Sequence, residues 1–434
     1  MKRVLTLVIV LAMVLSVCGC KGGNTDTSSF NDTVIYEEII VDENGNEFVN
    51  NETGTSSNVS DANQSTSSDN NSSTTSSKDI EVVIDYDTVV EMDICDDIIR
   101  GYLDATNPRQ QFNWLNDYKE AILDFQNLKL EWKADSSFEY VIYISENADF
   151  SNAYTIKTNT TTAGKTAICV PGKIYYWKVM GVYSDKPLGG GKIKIKDAPV
   201  RWVKIEGVNN VRDLGGWKTE NGKTVNYEKI YRGAMLDKIT NTGLKTLKAL
   251  GLKTDIDVRS TASWDTHNAV PQTELDYYFL NTPYSYEAVL SEHYKADVTA
   301  KYSKMFELLS NENSYPIYLH CGGGTDRTGL DSFILNGLLG VSYEDLTRDY
   351  ELTSFAGADR WRGNGTGGTF AENDLIHENV SNSDVDATWG VLNKKFMESK
   401  YCTDGKLSTA IQNFLLDRGV TQAQIDAYKN IMLN

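Results

Sequence analysis

The sequence is short of basic charge, of histidine and of long apolar runs. Lys+Arg is 42 against 60 Asp+Glu, a formal net charge of −18. Without a phosphate-neutralising excess, tracking along a nucleic-acid backbone is excluded as a main activity, and no nucleic-acid partner is expected. Cysteine is limited to six residues. Cys95, Cys169, Cys321 and Cys402 lie far apart and show no C-x-x-C spacing, which argues against a zinc site. Among the four histidines, His267, His293 and His377 show no ligand spacing, so neither a metal nor another cofactor is expected. With 7 Pro and 33 Gly in 434 residues, collagen-like architecture is also out. No segment after the first twenty residues is long and apolar enough to cross a bilayer as a helix.

What is present is globular on average: 40% hydrophobic, 10% aromatic and 24% charged residues. The acidity is uneven. Residues 24–79 hold 11 Asp/Glu against the single Lys78, so the remainder is only mildly acidic and can hold a local basic pocket.

Lys2 and Arg3 precede an apolar run from Val4 to Val17, the layout of a secretory signal peptide. The run ends in Val17-Cys18-Gly19-Cys20 and resembles a bacterial lipobox. Residues 1–20 are therefore expected to be a lipoprotein signal peptide. Cys20 behind the small Gly19 is the lipidation candidate, Cys18 is the alternative, and an ordinary signal peptide is the plainer reading. The expected location is the outer face of a bacterial cytoplasmic membrane, held there by the lipid. Residues 50–77 contain 10 Ser, 5 Thr and 6 Asn, too polar to offset the entropy of ordering. Residues 21–80 are expected to be a disordered tether.

Residues 81–198 read as β-rich. "NLKLEWKA" (127–134), "FEYVIYIS" (138–145) and "GKIYYWKVMGVYS" (172–184) alternate like half-buried strands, while 113–125 looks helical. Trp132, Tyr175 and Trp177 are expected in a core; an aromatic platform for carbohydrate is the alternative. From residue 199 to the end, strand-like runs at Lys229–Arg232, Lys253–Val258, Leu275–Leu280 and Tyr315–Leu319 alternate with helical ones. These are placed at about 241–250, 289–310, 328–339, 343–354, 385–400, 407–417 and 422–432. Ser342 and Thr421 look like N-caps. The expectation is an α/β domain, with a central, mostly parallel sheet flanked by helices, behind an N-terminal β-sandwich.

The informative segment is "YPIYLHCGGGTDRTGLDSFILNGLL", 315–339. A buried strand runs into His320-Cys321, and Arg327 follows before an apolar-periodic helix. The intervening Gly322, Gly323, Gly324 and Thr325 allow backbone N–H groups to converge on one centre. The helix N-terminus adds partial positive charge there, and Arg327 offers a planar fork for two phosphate oxygens. This builds a cradle for a tetrahedral dianion. The same field favours a thiolate at Cys321, able to attack phosphorus without an adjacent base. Thr328 can donate its hydroxyl to the sulfur, and His320 can fix the loop through backbone hydrogen bonds.

This stretch resembles the C-x5-R-[S/T] loop of protein tyrosine phosphatases. Together with "GVNNVRDLGGW" (207–217), "IYRGAML" (230–236) and "TDIDVRS" (254–260), it is similar to the bacterial tyrosine-phosphatase family bearing N-x-R-D-L-G-G and H-C-x-x-G-x-D-R-T-G motifs. The resemblance implies a metal-independent phosphomonoester hydrolase acting on phosphotyrosine, sometimes on phosphoserine/threonine or phosphoinositides. Several members with lipid activity carry Lys where this chain has Thr325, which weakens the phosphoinositide alternative. Trp132, "YVIYISENADFSNA" and "PGKIYYWKV" resemble a fibronectin type III-like sandwich.

The expected catalytic set is Cys321, Arg327, Asp326 and Thr328, with Gly322, Gly323, Gly324, Thr325 and Arg327 around phosphate. Asp326 leads as general acid, because the family pattern places an Asp there. Asp359 on a mobile lid, or Asp213 and Asp257, are the alternatives. Arg212 is a candidate substrate contact; Arg259, Arg360 and Arg362 are weaker ones. The expected substrates are a phosphorylated protein or a small phosphomonoester, with inositol polyphosphate as runner-up. A reading of another class is a surface adhesin whose phosphatase-like domain is inactive.

Overall fold

The computed structural model describes residues 84–434 except 107–109, 112–113, 115–116, 119–122, 124–127, 133–138, 159–161, 165–168, 183–185, 262–266, 357–387 and 434; before residue 84 it describes three strands. Those strands are β1 (Leu7–Ile9), β2 (Glu37–Val41) and β3 (Glu47–Asn50), paired antiparallel in that order. The expected tether thus contains β2 and β3, whose "EEIIV" and "EFVN" are richer in apolar residues than the Ser/Thr/Asn-rich stretch after them, where Val59 and Ala62 stand alone. The rest of the expected leader and tether, with Cys18 and Cys20, lies outside the described residues, as does most of the helix expected at 113–125. No helix among the described residues is long and apolar enough to cross a membrane.

Residues 79–434 form one compact unit. Its N-terminal part holds β4 (Val89–Met92), α1 (Asp97–Asp104), β5 (Lys129–Glu131), β6 (Tyr140–Ser145), β7 (Tyr154–Thr158), β8 (Thr162–Gly164), β9 (Ile174–Gly181) and β10 (Pro187–Ile195). Five of these strands form a sheet in the order β4-β10-β9-β6-β7, and β5 pairs with β8. Alternation in β6 and β9 turns Tyr140, Ile142, Ile144, Tyr175, Trp177 and Val179 inward against Leu128, Leu130 and Trp132. The three aromatics singled out from sequence are therefore core residues, and the carbohydrate platform is not formed.

The second part contains β11 (Arg212–Asp213), β12 (Ile230–Gly233), α2 (Asn241–Ala249), β13 (Thr254–Asp257), β14 (Asp276–Phe279), α3 (Lys295–Leu309) and β15 (Ile317–His320). After them come α4 (Asp326–Leu338), α5 (Tyr343–Glu351), α6 (Thr388–Met397), α7 (Leu407–Asp417) and α8 (Gln422–Leu433). Its sheet runs β11-β12-β15-β13-β14, parallel except for β11. Both faces are covered, as parallel strands require. Ile230, Ile256, Ile317 and Leu319 face the core built with α3, α4, α7 and α8. Tyr231 and Tyr318 face a second core with Leu247 of α2. Helix α4 is buried from Thr328 through Leu338, which marks a central rather than a surface helix. The Ser342 side chain caps α5 by accepting from the Asp345 amide, and Thr421 exchanges bonds with Gln424 at the start of α8.

Residues 97–104, expected as part of the β-rich block, form helix α1 instead and pack elsewhere. Ile99 and Tyr102 are wholly buried in the same core as β15 and α4.

Candidate active site

Strand β15 ends at His320, and α4 starts at Asp326, two residues earlier than the pattern predicts. The loop 321–325 between them is held from behind by its carbonyls. His320 Nδ1 lies 3.1 Å from the Cys321 carbonyl, and the Met235 amide donates to Gly322 O at 3.2 Å. Asn210 Nδ2 donates to Gly323 O at 3.0 Å. Arg232 Nη2 donates to Gly324 O at 2.6 Å and to Thr325 O at 3.3 Å. Carbonyls tied at the back turn the amides of the same peptides forward, the arrangement of an anion-binding nest. Thr325 sits at the N-cap of α4 and makes no side-chain bond to its first turn. The helix end is therefore not closed by its own cap.

In front of the loop is a cleft of about 410 Å³. Cys321, Gly322, Gly323, Thr325, Asp326, Arg327 and Leu330 line one side; Thr282, Pro283, Tyr284, Ser285 and Tyr286 line the other. The geometry thus brings Cys321, Asp326 and Arg327 to one cavity. Asp326 is exposed and accepts a hydrogen bond from the Tyr350 hydroxyl at 3.1 Å.

Other expected positions differ. Gly324 is not on the cavity wall. Its φ is +70°, and a Cβ there would lie 2.3 Å from the backbone of Gly233, so a glycine is needed for the close approach to β12. Thr328 is wholly buried, and its hydroxyl has no hydrogen-bond partner among the described residues; the expected donation to sulfur is not made. Arg212 is not a substrate contact. It is wholly buried, with Nε on Asp349 at 2.9 Å, Nη1 on Asn210 and Nη2 on the Asp349 carbonyl. Burial, then neighbouring Arg232, lowers its pKa to about 10, which leaves it charged at neutral pH. Arg259 is likewise buried, paired with Asp257 at 2.7 Å. Asp257 also receives the Tyr277 hydroxyl, and Asp213 receives the amides of Gly215 and Glu228; neither carboxylate lines the cleft. His267 stacks on Phe279. Asp359, Arg360, Arg362 and His377 lie outside the described residues.

His320 is buried, 3.0 Å from Asp255. Burial would depress its pKa, but Asp255, Asp257 and the Cys321 carbonyl outweigh it and hold the ring up at about 9. The chain thus keeps an imidazolium behind the cysteine.

Sequence reasoning missed four residues. Arg232 and Asp349 form a buried pair, and Asp349 serves Arg212 as well. Lys301 and Asp331 lie 2.7 Å apart and wholly buried, with the Tyr302 hydroxyl donating to Asp331 at 2.8 Å. Burial lowers the Lys301 pKa, and Asp331 and Cys321 partly restore it. Arg232 lay within "IYRGAML" and Asp331 within the quoted 315–339 segment; Lys301 and Asp349 lay in no quoted motif. Cys95, Cys169, Cys321 and Cys402 are free thiols, so Cys95 and Cys169 are not paired. Burial pushes both of these up to about 12. Among the described residues no group of three or more His, Cys, Asp or Glu is placed to hold a metal ion.

Known proteins give this geometry a context. A Cupriavidus necator protein provisionally named a tyrosine-protein phosphatase is 26% identical over 168 residues, covering 34% of this chain and 61% of that protein. The solved core catalytic domain of a PP-IP phosphatase from S. cerevisiae, in complex with citrate, is 18% identical. It covers 32% of this chain and 78% of that one, with a TM-score of 0.23. The sequence profile described as "Tyrosine phosphatase family" matches residues 203–434. With more than half its length inside that match, the chain belongs to the tyrosine phosphatase family.

Proposed function

We propose that the protein is a cysteine-dependent phosphomonoester hydrolase acting on phosphotyrosine-type substrates. The observation that carries this is the meeting of Cys321, Asp326 and Arg327 on one cleft, beside a loop whose five carbonyls are all bound from behind. Phosphate oxygens sit on the loop amides, with Arg327 as a bidentate fork. The Cys321 sulfur attacks phosphorus in line, and the bond from phosphorus to the leaving oxygen breaks. Asp326 gives its proton to that oxygen. Water then attacks the cysteinyl-phosphate, Asp326 takes a proton from the water, and inorganic phosphate leaves with the sulfur released. Preorganised donors serve the equatorial oxygens throughout. Purified protein should hydrolyse para-nitrophenyl phosphate in EDTA, and Cys321→Ser should abolish turnover. Full activity in that variant sinks the mechanism.

The cleft wall opposite the loop carries Pro283, Tyr284 and Tyr286, an apolar surface suited to an aromatic ring more than to a polyanionic headgroup. With Thr325 in place of a loop lysine, this favours phosphotyrosine over inositol polyphosphate. Phosphate release from phosphotyrosine peptides and from inositol hexakisphosphate separates the two.

Residues 1–20 are proposed as a lipoprotein leader, with Cys20 carrying the lipid and the catalytic unit exported. Support comes from the Lys2-Arg3 start and the Val4–Val17 run. Radiolabelled palmitate should enter the wild-type chain in a bacterial host and not Cys20→Ser. The strands of residues 81–198 are proposed as a fibronectin type III-like module, on the strength of the shared core of Trp132, Tyr140 and Trp177.

A further inference from the structure

The last turn of α5 presents three consecutive buried side chains, Asp349, Tyr350 and Glu351. Consecutive residues on a helix point about 100° apart, so the three reach different neighbours. Asp349 binds Arg232, whose guanidinium holds the carbonyls of Gly324 and Thr325. Tyr350 donates to Asp326 at 3.1 Å. Glu351 accepts from the Tyr102 hydroxyl of α1. Tyr102 lies 249 positions away in sequence and outside the residues 203–434 that match the family.

The contact belongs to a docked helix. Tyr102 is wholly buried, and its ring meets Phe355 edge-on at 5.7 Å. Arg348 Nη2 donates to the Ala105 carbonyl at 3.3 Å, and Trp114 Nε1 donates to the Ile98 carbonyl at 2.8 Å. Burial and the Glu351 carboxylate hold the Tyr102 phenol well above its ordinary pKa, so it remains a donor at neutral pH. A wholly buried carboxylate deprived of a donor must move or admit water. Glu351 cannot do so alone, because the same turn carries Tyr350 and Asp349.

We propose that Tyr102 is a positioning residue of the phosphatase site: through Glu351 and Tyr350 it fixes the protonated carboxyl group of Asp326 for proton transfer to the leaving oxygen. The segment before the family's own region is then part of the catalytic apparatus. This rests on the reading of Asp326 as general acid.

The test compares turnover of phenyl phosphate, whose leaving group needs a proton, with that of 2,4-dinitrophenyl phosphate, whose leaving group does not. Both are measured on the full chain. Asp326→Asn and Tyr350→Phe should each lower kcat/KM on phenyl phosphate by about tenfold or more and lower that on the dinitrophenyl ester far less, because kcat/KM ends at cysteinyl-phosphate formation and leaves out the later hydrolysis in which Asp326 is the base. Tyr102→Phe should shift the ratio the same way by roughly three- to tenfold, with KM little changed. In the Tyr102→Phe/Tyr350→Phe double variant the losses should overlap instead of multiplying. A ratio of rates does not depend on how much enzyme is folded, so lost stability cannot imitate it. Should Tyr102→Phe fail to fold, Glu351→Gln keeps an acceptor but weakens the bond, and the same ratio reads it. An unchanged ratio in Tyr102→Phe, whether both rates hold or fall together, overturns the proposal. If Asp326→Asn leaves the ratio unchanged, the general-acid reading fails first, and Tyr102's route to it fails with it.

Discussion

Two groups of buried charge lie near the 321–325 loop, and they are wired differently. Arg212 and Arg232 share one carboxylate, Asp349, an excess of one positive charge, and Arg232 donates directly to two loop carbonyls. Lys301 and Asp331 pair one to one, and Asp331's remaining bond goes to Tyr302. The first group shapes backbone; the second fills a core. A buried pair of the second kind is replaceable by apolar residues as a unit, whereas loss of one partner leaves a charge stranded. A group bonded to loop carbonyls has no such apolar equivalent.

The contrast can be broken most decisively at Arg232. Arg232→Met should lower kcat by about 100-fold, because a misplaced loop misdirects every phosphate contact. Arg232→Lys should not rescue it, since an ammonium cannot reproduce the fork. An equal loss of kcat in Lys301→Met/Asp331→Leu would erase the distinction. The next effect is on stability. Lys301→Met alone should cost about 3–5 kcal/mol in urea unfolding, and adding Asp331→Leu should restore most of it. Failure of the double variant to recover would mean that the pair has a role beyond packing.

His320 offers a third comparison, because its charge also stands behind the loop. Its folded pKa of about 9 lies above the ordinary 6.5. The stabilisation is therefore complete below about pH 6.5 and disappears as pH rises through about 9, with a size of roughly 3 kcal/mol. Urea midpoints taken near pH 6 and pH 9.5 should differ in wild type, and His320→Asn should flatten the difference. Equal midpoints in wild type would deny the imidazolium. The smallest effect belongs to Tyr302→Phe. It removes one bond to Asp331 and should cost about 1 kcal/mol while kcat stays within about twofold. A large kcat change there would tie the second charge group to chemistry.

The strand, glycine-rich loop and helix start were legible because they are contiguous: periodicity, turn residues and the Cys321-to-Arg327 spacing sit within one short string. The four parallel strands of the sheet were legible for the same reason, as each falls inside or against an expected run; the two-residue β11 matches none of them. What could not be read was which charged residues are buried. Arg212 and Asp349 are 137 positions apart, and nothing local separates Asp349 from the exposed Glu344 or the half-buried Asp345 and Arg348 of "YEDLTRDYE". Arg212 therefore looked available for substrate. The docking of α1 was hidden likewise, since its partner Glu351 lies 249 positions on. Its eight residues, "DIIRGYLD", sit in a stretch read only as part of the β-rich block, and nothing in them names the core they join.

Gly324 and Gly233 meet backbone to backbone, with no room for a methyl group between them. The 321–325 loop and strand β12 are thus two sides of a single seam. A larger side chain in place of Gly324 would push loop and strand apart, whereas the half-buried Tyr286 on the opposite wall stands clear of that seam.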